Sequence, residues 1–301
     1  MDLLVPLDTG LLIGLILAWS VIALSVSFRL LNFPDLTIEG SLLIGAAVFT
    51  ALLELKVSPV YATLSGMLSG ALAGGLTGFF HVKYRINKFL AGIIVVAICF
   101  TASLRIMGAS NIGLINYKTV FDKVEFFDKL IPNLHIGSIL LLTVMLMLGS
   151  LLLYAGLSSK RGIRLRVAGS NPEYARSLGI SVPIYLVAGL AFSNSLAALS
   201  GILLAMFQGF TDVNMGQGTL IIALAALTIG ERLFPKTKVS YHLFILIAAI
   251  GGSILYQVLV AVAIRMGLAA TDLKMVTAVL VLVVMAMKSS RHEELLSEEF
   301  K

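Results

Sequence analysis

Apolar segments of about 18 residues or more, the length an α-helix needs to cross the hydrocarbon core of a bilayer, recur along this chain. They constrain its fold more than any other feature. Only 13% of the 301 residues are charged and 58% are hydrophobic, whereas a soluble domain carries roughly 25% charged residues. The mean hydropathy of +1.00 agrees. The expected fold is therefore an all-α, polytopic membrane helical bundle, one domain over residues 1–301. Nine spans are expected, at 10–28, 38–54, 59–80, 89–107, 137–157, 181–207, 217–231, 240–263 and 273–288. The first run lacks both a basic leader and a small-residue cleavage site, so it reads as a span and not a signal peptide. The span at 217–231 is short and polar at both ends, so it reads as broken or partly inserted.

Charge sets the expected orientation. With the N-terminus outside and the C-terminus inside, the cytoplasmic segments hold 15 of the 22 Lys and Arg residues. That excess follows the positive-inside rule. The net charge of +6 is thus an orientation signal, and no nucleic-acid partner is expected. The charged segment at 289–301 reads as a solvated cytoplasmic tail. The single cysteine, Cys99, lies within an apolar run, which leaves no disulfide framework or cysteine metal site.

Between the fifth and sixth spans lies SSKRGIRLRVAGSNPEYARSLGI, residues 158–180, with five of the basic residues. It carries a compact helix signal. Asn171 suits an N-cap, Pro172 the first helical position, Glu173 the positive end of the helix dipole and Gly179 the stop. A capped helix in a basic loop between spans reads as a docking element on which another subunit presses. The outer loop at 108–136 has aromatic residues at 117, 121, 126 and 127. It reads as an interfacial helix, as a docking or gating surface for an extracytoplasmic partner, or as both.

Gly66, Gly70, Gly74 and Gly78 recur every four residues on one face of the third span. In lipid, close approach of small residues supplies helix packing, so this face reads as a seam, with a pathway lining as the alternative. There is also an internal echo. NFPDLTIEGSLLIGAA (32–47) and GFTDVNMGQGTLIIALAA (209–226) each place an Asp two residues after a Phe and open an apolar run with Gly-Ser or Gly-Thr. On the expected topology one breaks the membrane at the inner side and the other at the outer side, as an inverted repeat would. Asn32, Asp35, Thr37 and Glu39 in the first break, and Ser193, Asn194 and Gln208 on the sixth span, are candidates for lining a pathway. Asp35 or Thr37 also suits an N-cap for the second span, and Ser193, Asn194 and Gln208 could equally bond neighbouring helices.

No GxxxxGK[ST], GxSxG or HExxH occurs, and the four histidines are scattered, so no ATP site, catalytic set or metal is expected in this chain. A non-enzymatic transport subunit fits, and a stand-alone secondary transporter or channel is the alternative.

The opening GLILAWSVIALSVSFRLLNFPDLTIEGSLLIGAAV and the loop RVAGSNPEYARSLGI resemble the permease subunits of bacterial ABC importers of the branched-chain amino-acid and ribose type. The LNFPDLTIEGS version is most similar to their tryptophan/tyrosine-type subgroup. The resemblance implies that Arg164, Arg166, Ala168, Gly169, Asn171, Pro172, Glu173, Tyr174, Ala175, Arg176, Leu178 and Gly179 form the segment that couples to the ATPase. It further implies a dimer of permeases, most simply a homodimer, in the bacterial cytoplasmic (inner) membrane. Two cytoplasmic ABC ATPase subunits would bind ATP and Mg, and an extracytoplasmic substrate-binding protein would deliver a small polar solute, an amino acid. PDLTIEG departs from the Asp-Leu-Ser-Val-Gly run common in relatives, and Glu231 and Arg232 stand where relatives are often neutral.

Overall fold

The computed structural model describes residues 4–124, 128, 135–234, 240–267, 272, 275 and 279. Most of the expected ninth span, the tail, Lys236, Lys238 and most of 125–134 lie outside the described residues.

Helix α1 (Leu4–Ser25) continues into a π-helical turn at Val26–Leu30. Ser25 and Ser27 donate their hydroxyls back to Ile22 O at 2.7 Å and Leu24 O at 3.1 Å. Such back-bonding competes with the main-chain ladder, which is where helices widen. Asn32, at φ +50°, and Pro34 then end the helical path.

After this break come α2 (Thr37–Glu54), α3 (Pro59–Tyr84) and α4 (Lys88–Met107). A short strand β1 (Asn111–Gly113) and a 3-10 turn (Phe121–Lys123) precede α5 (Ile136–Ser158). Two short helices, α6 (Lys160–Ser170) and α7 (Pro172–Ser177), lead into the long α8 (Val182–Gln208). Strand β2 (Phe210–Asp212), α9 (Thr219–Leu233) and α10 (Tyr241–Arg265) follow.

Six described helical segments are long and apolar enough to cross a membrane: Leu7–Leu30, Thr37–Glu54, Lys88–Met107, Ile136–Ser158, Val182–Gln208 and Tyr241–Arg265. The two other helices expected to span, α3 and α9, are not among them. Helix α3 spends its length on glycine, serine and alanine, and α9 has only 15 residues, about 22 Å of helix against a hydrocarbon core of about 30 Å.

The core lies along α1, whose Leu12, Ile16, Val21 and Ile22 are fully enclosed by leucines and alanines of α8, α9 and α10. Helix α3 packs along α8 and α2, and α4 along α2. Only 28% of the apolar window of α4, and of α5, is buried, so these two helices lie at the outside of the bundle.

Two regions add to the sequence reading. The described part of 108–136 holds a strand and a 3-10 turn, and Asp128 is α-helical with its amide on Val124 O at 3.3 Å; most of the expected interfacial helix lies outside the described residues. Gly108, at φ +69°, stops α4, and residues 111–113 then pair antiparallel with 210–212, a partner about a hundred residues away that local periodicity does not register. The loop at 158–180 holds two helices where one was expected. Ser159 caps the additional one by accepting from Gly162 N, and Asn171 ends it.

Candidate functional site

Basic residues gather at one end of the bundle, called here the basic end. It carries Arg29, the α3–α4 turn with Lys83, Arg85 and Lys88, the α6–α7 pair, and the starts of α8 and α10.

Helix α7 is short but closed at both termini. Asn171 Oδ1 accepts from Tyr174 N at 3.0 Å, and Pro172 occupies the first turn. At the other end Ile180 N donates to Ala175 O at 2.9 Å and Gly179 N to Arg176 O at 3.0 Å. This reciprocal pair, with Gly179 at φ +72°, is the Schellman arrangement that needs glycine. Ala175 is fully buried, and α7 packs on α6 and α8. Tyr174 and Leu178 are each 55% exposed and turn away from the bundle.

Helix α6 ties this element to the body. A Cβ at Gly169 would lie 2.6 Å from Leu31 Cα and would collide with Leu30 O, so only glycine lets α6 sit on the π turn. Arg166 Nη1 donates to His242 Nδ1 at 3.1 Å. A guanidinium can only donate, so Nδ1 accepts, and Nε2 carries the hydrogen it shares with Ser158 Oγ at 2.9 Å. The imidazole also stacks on Tyr154, centroids 5.0 Å apart. His242 thereby joins α5, α6 and α10, a role nothing in its sequence surroundings signals.

The first break lies deep in the bundle. Asp35 is 1% exposed; its Oδ2 accepts from Asn194 Nδ2 at 2.6 Å and its Oδ1 from Thr37 N at 2.9 Å. Asn194 is the thirteenth of the 27 residues of α8, so the contact falls at mid-length of a spanning helix. Ser41 Oγ donates to Asn194 Oδ1 at 2.7 Å, and the Thr37 and Thr77 hydroxyls meet at 2.6 Å. Leu36 occupies the N-cap position of α2 and makes no side-chain cap bond. Asp35 serves that end from one residue further out, and Thr37 is already helical.

Helix α9 also begins at depth. Glu39 Oε1 accepts from Gly218 N at 3.0 Å and Leu220 N at 3.2 Å, which satisfies orphan donors of the first turn of α9. The next residue, Gly40, abuts Val96 and Cys99 near mid-length of α4. Gly218, at φ +85°, has no side chain to cap this helix itself, so the acid of α2 does it. At the other end of α9, Arg29 Nε and Nη2 donate to the two Glu231 carboxylate oxygens, both at 2.6 Å.

The remaining candidates are scattered. Ser193 Oγ donates to Ala23 O of α1 at 2.6 Å. Asn32 is exposed at the basic end, where its carbonyl accepts from Lys88 Nζ at 2.9 Å. Gln208 is exposed at the opposite end. The four spaced glycines of α3 face α8 and α2: Gly70 and Gly74 press on Asn194, Gly78 on Val187, and Gly66 on Gly45 O and Ile202. Asp35, Thr37, Ser193 and Asn194 are thus buried and bonded between helices, and they line no open route within the described residues of one chain.

Comparisons with known proteins point to transport permeases. A family model described as branched-chain amino acid transport system / permease component matches residues 7–286. The chain is 37% identical over 273 residues to the tyrosine transport system permease protein of Clostridioides difficile, covering 91% of this chain and 88% of that protein. An uncharacterized protein of Rickettsia prowazekii is 27% identical over 96% of this chain and 99% of its own length. The nucleoside ABC transporter permease protein of Lactococcus lactis subsp. cremoris is 28% identical over 49% of this chain and 45% of its own. Matched over almost its entire length, with apolar helices long enough to span, the chain belongs to the family of branched-chain amino acid transport system permease components.

Proposed function

We propose that this protein is the membrane permease of an ATP-driven importer for an amino acid, with tyrosine as the first candidate. The observation that carries the coupling role is α7, a six-residue helix closed at both ends and held at the basic end with Tyr174 and Leu178 outward. A rigid, capped helix transmits force where a flexible linker would absorb it. Tyr174 and Leu178 enter a groove of a cytoplasmic ABC ATPase, while Ala175 and Gly169 seat the element on the permease. ATP and Mg belong to that partner.

In this reading the chain crosses the bacterial cytoplasmic membrane nine times, N-terminus outside, and works as a homodimer fed by an extracytoplasmic binding protein. Two observations support an inverted repeat. Each echo segment ends one long helix and opens another that begins at depth, α1 to α2 and α8 to α9. The packing is also reciprocal: α3, of the first unit, lies along α8, and α10, of the second, lies along α1. The tyrosine assignment draws on the name of the Clostridioides difficile relative.

The test is co-purification with the ATPase and binding protein encoded beside it, followed by tyrosine uptake into proteoliposomes. ATP-dependent uptake that falls when Tyr174 and Leu178 are replaced by alanine is the expected result. Uptake by the permease alone, driven by an ion gradient without ATP, would overturn the reading.

A further inference from the structure

Helix α9 is gripped at both ends by one short stretch of chain. The Glu39 carboxylate accepts from the Gly218 and Leu220 amides at its first turn, and Arg29 holds Glu231 in its last turn through two 2.6 Å contacts. Leu220 and Glu231 are eleven residues apart, about 16 Å along a helix. Residues 29–39, the end of the π turn, the break at 31–36 and the first three residues of α2, reach both of these ends. A bidentate guanidinium–carboxylate contact fixes direction as well as separation, and a carboxylate on first-turn amides complements the helix dipole. Both contacts are part-buried, which limits their screening by solvent.

The same stretch carries the seat of the coupling element. Gly169 of α6 rests on the Leu30 carbonyl and Leu31 Cα, between the two grips. Residues 29–39 therefore touch α6 in the middle and both termini of α9, including the deep terminus near mid-length of α4.

We infer that residues 29–39 and α9 move as one body, and that Arg29, Glu231 and Glu39 are positioning residues carrying displacement of α6–α7 to the deep end of α9. This rests on the reading of α6–α7 as the ATPase contact. The part that moves at depth is the turn around Gly216, Gly218 and Thr219, where Thr219 Oγ1 closes on Gly216 O.

The test uses the full transporter, permease with its ATPase and binding protein, in proteoliposomes supplied with tyrosine and ATP. Hydrolysis and uptake are measured together, because their ratio reports coupling and a general loss of folded protein leaves it unmoved. Arg29→Glu is expected to lower tyrosine moved per ATP by at least about fivefold, the lower end of ordinary coupling strengths. The reversed pair Arg29→Glu/Glu231→Arg is expected to restore most of it. Glu39→Ala is expected to lower the ratio, and Glu39→Gln, whose amide oxygen still accepts, to lower it less.

A second measurement covers the case in which charge reversal prevents folding. Arg29→Cys/Glu231→Cys, in a Cys99→Ala background, is joined by a short thiol-to-thiol linker. Low coupling before linking and recovery after it supports one moving body. Unchanged coupling before linking, or a complex stalled by the linker, overturns the inference. If ATPase still co-purifies and hydrolyses ATP while these variants are indifferent, this inference alone fails. If no ATPase is recovered with the parent chain, the functional reading fails first.

Discussion

Asn194 Nδ2 donates to Asp35 Oδ2 at 2.6 Å, midway along the longest described helix, and both residues are shut off from solvent. The same amide accepts from Ser41, so one side chain joins α8, α2 and the broken segment between α1 and α2. An acid at such depth is costly unless every oxygen is bonded, and Asp35 has a donor on each.

Replacing Asn194 with leucine, close in volume, strands Asp35 Oδ2 and Ser41 Oγ. Each orphaned buried group costs about 1–3 kcal/mol. Thermal unfolding in detergent micelles should shift down clearly for Asn194→Leu, and less for Asp35→Asn, which keeps an acceptor for Thr37 N. An unchanged melting temperature for Asn194→Leu would show that the node carries no stability.

Adjacent glycines on α3 should behave oppositely. A Cβ at Gly74 would lie 2.5–2.6 Å from the Asn194 side chain and strike Leu190 O, whereas at Gly75 it meets only Ala191 Cβ at 3.8 Å. Gly74→Ala should therefore push α3 off α8 and cost about 1–3 kcal/mol through overpacking. Gly75→Ala should be neutral or stabilising, since it lowers the entropy of the unfolded chain. Folded yield and melting temperature of the two variants make the comparison.

The ends of α7 are separately testable. Asn171→Ala removes the acceptor of Tyr174 N and should cost about 1 kcal/mol of local helix stability. Gly179→Ala forces a side chain into the left-handed region, at about 1–2 kcal/mol. Hydrogen exchange at residues 173–178 should speed up in both, with the transmembrane helices unaffected. Protection unchanged in both variants would mean that packing against α6 and α8, and not capping, holds α7.

His242→Ala removes the acceptor of Arg166 Nη1, the donor to Ser158 and the stacking partner of Tyr154. A hydrogen bond to a charged group contributes about 1.5–3 kcal/mol. Exchange should quicken in α6, and tyrosine moved per ATP should fall while the ATPase still binds through α7. Loss of ATPase binding in this variant would place His242 in assembly instead of in transmission.

Much of the helix map was legible from hydropathy. The expected spans at 38–54, 89–107 and 137–157 fall within a residue of the ends of α2, α4 and α5, because an uninterrupted apolar run has few other ways to satisfy its backbone. Asn171, Pro172 and Gly179 announced α7 because capping is local chemistry. Helix α6 was missed although Ser159 offers the same kind of cap, because its glycines and four basic residues mask its apolar contacts.

Sequence alone determined what local rules govern: a membrane bundle of long apolar helices, a seam of glycines, and a capped helix in a basic loop. Tertiary structure decided depth and partnership. Hydropathy measures how apolar a segment is but not where in the bundle it begins, so the short 217–231 run read only as broken or partly inserted, and nothing told that α2 also starts inside. Nor could it tell that Asp35 meets Asn194 or that Arg29 meets Glu231, more than 150 residues apart in each case. Such pairs form only when the packed helices bring their ends together, and no property of either residue's neighbours encodes that meeting.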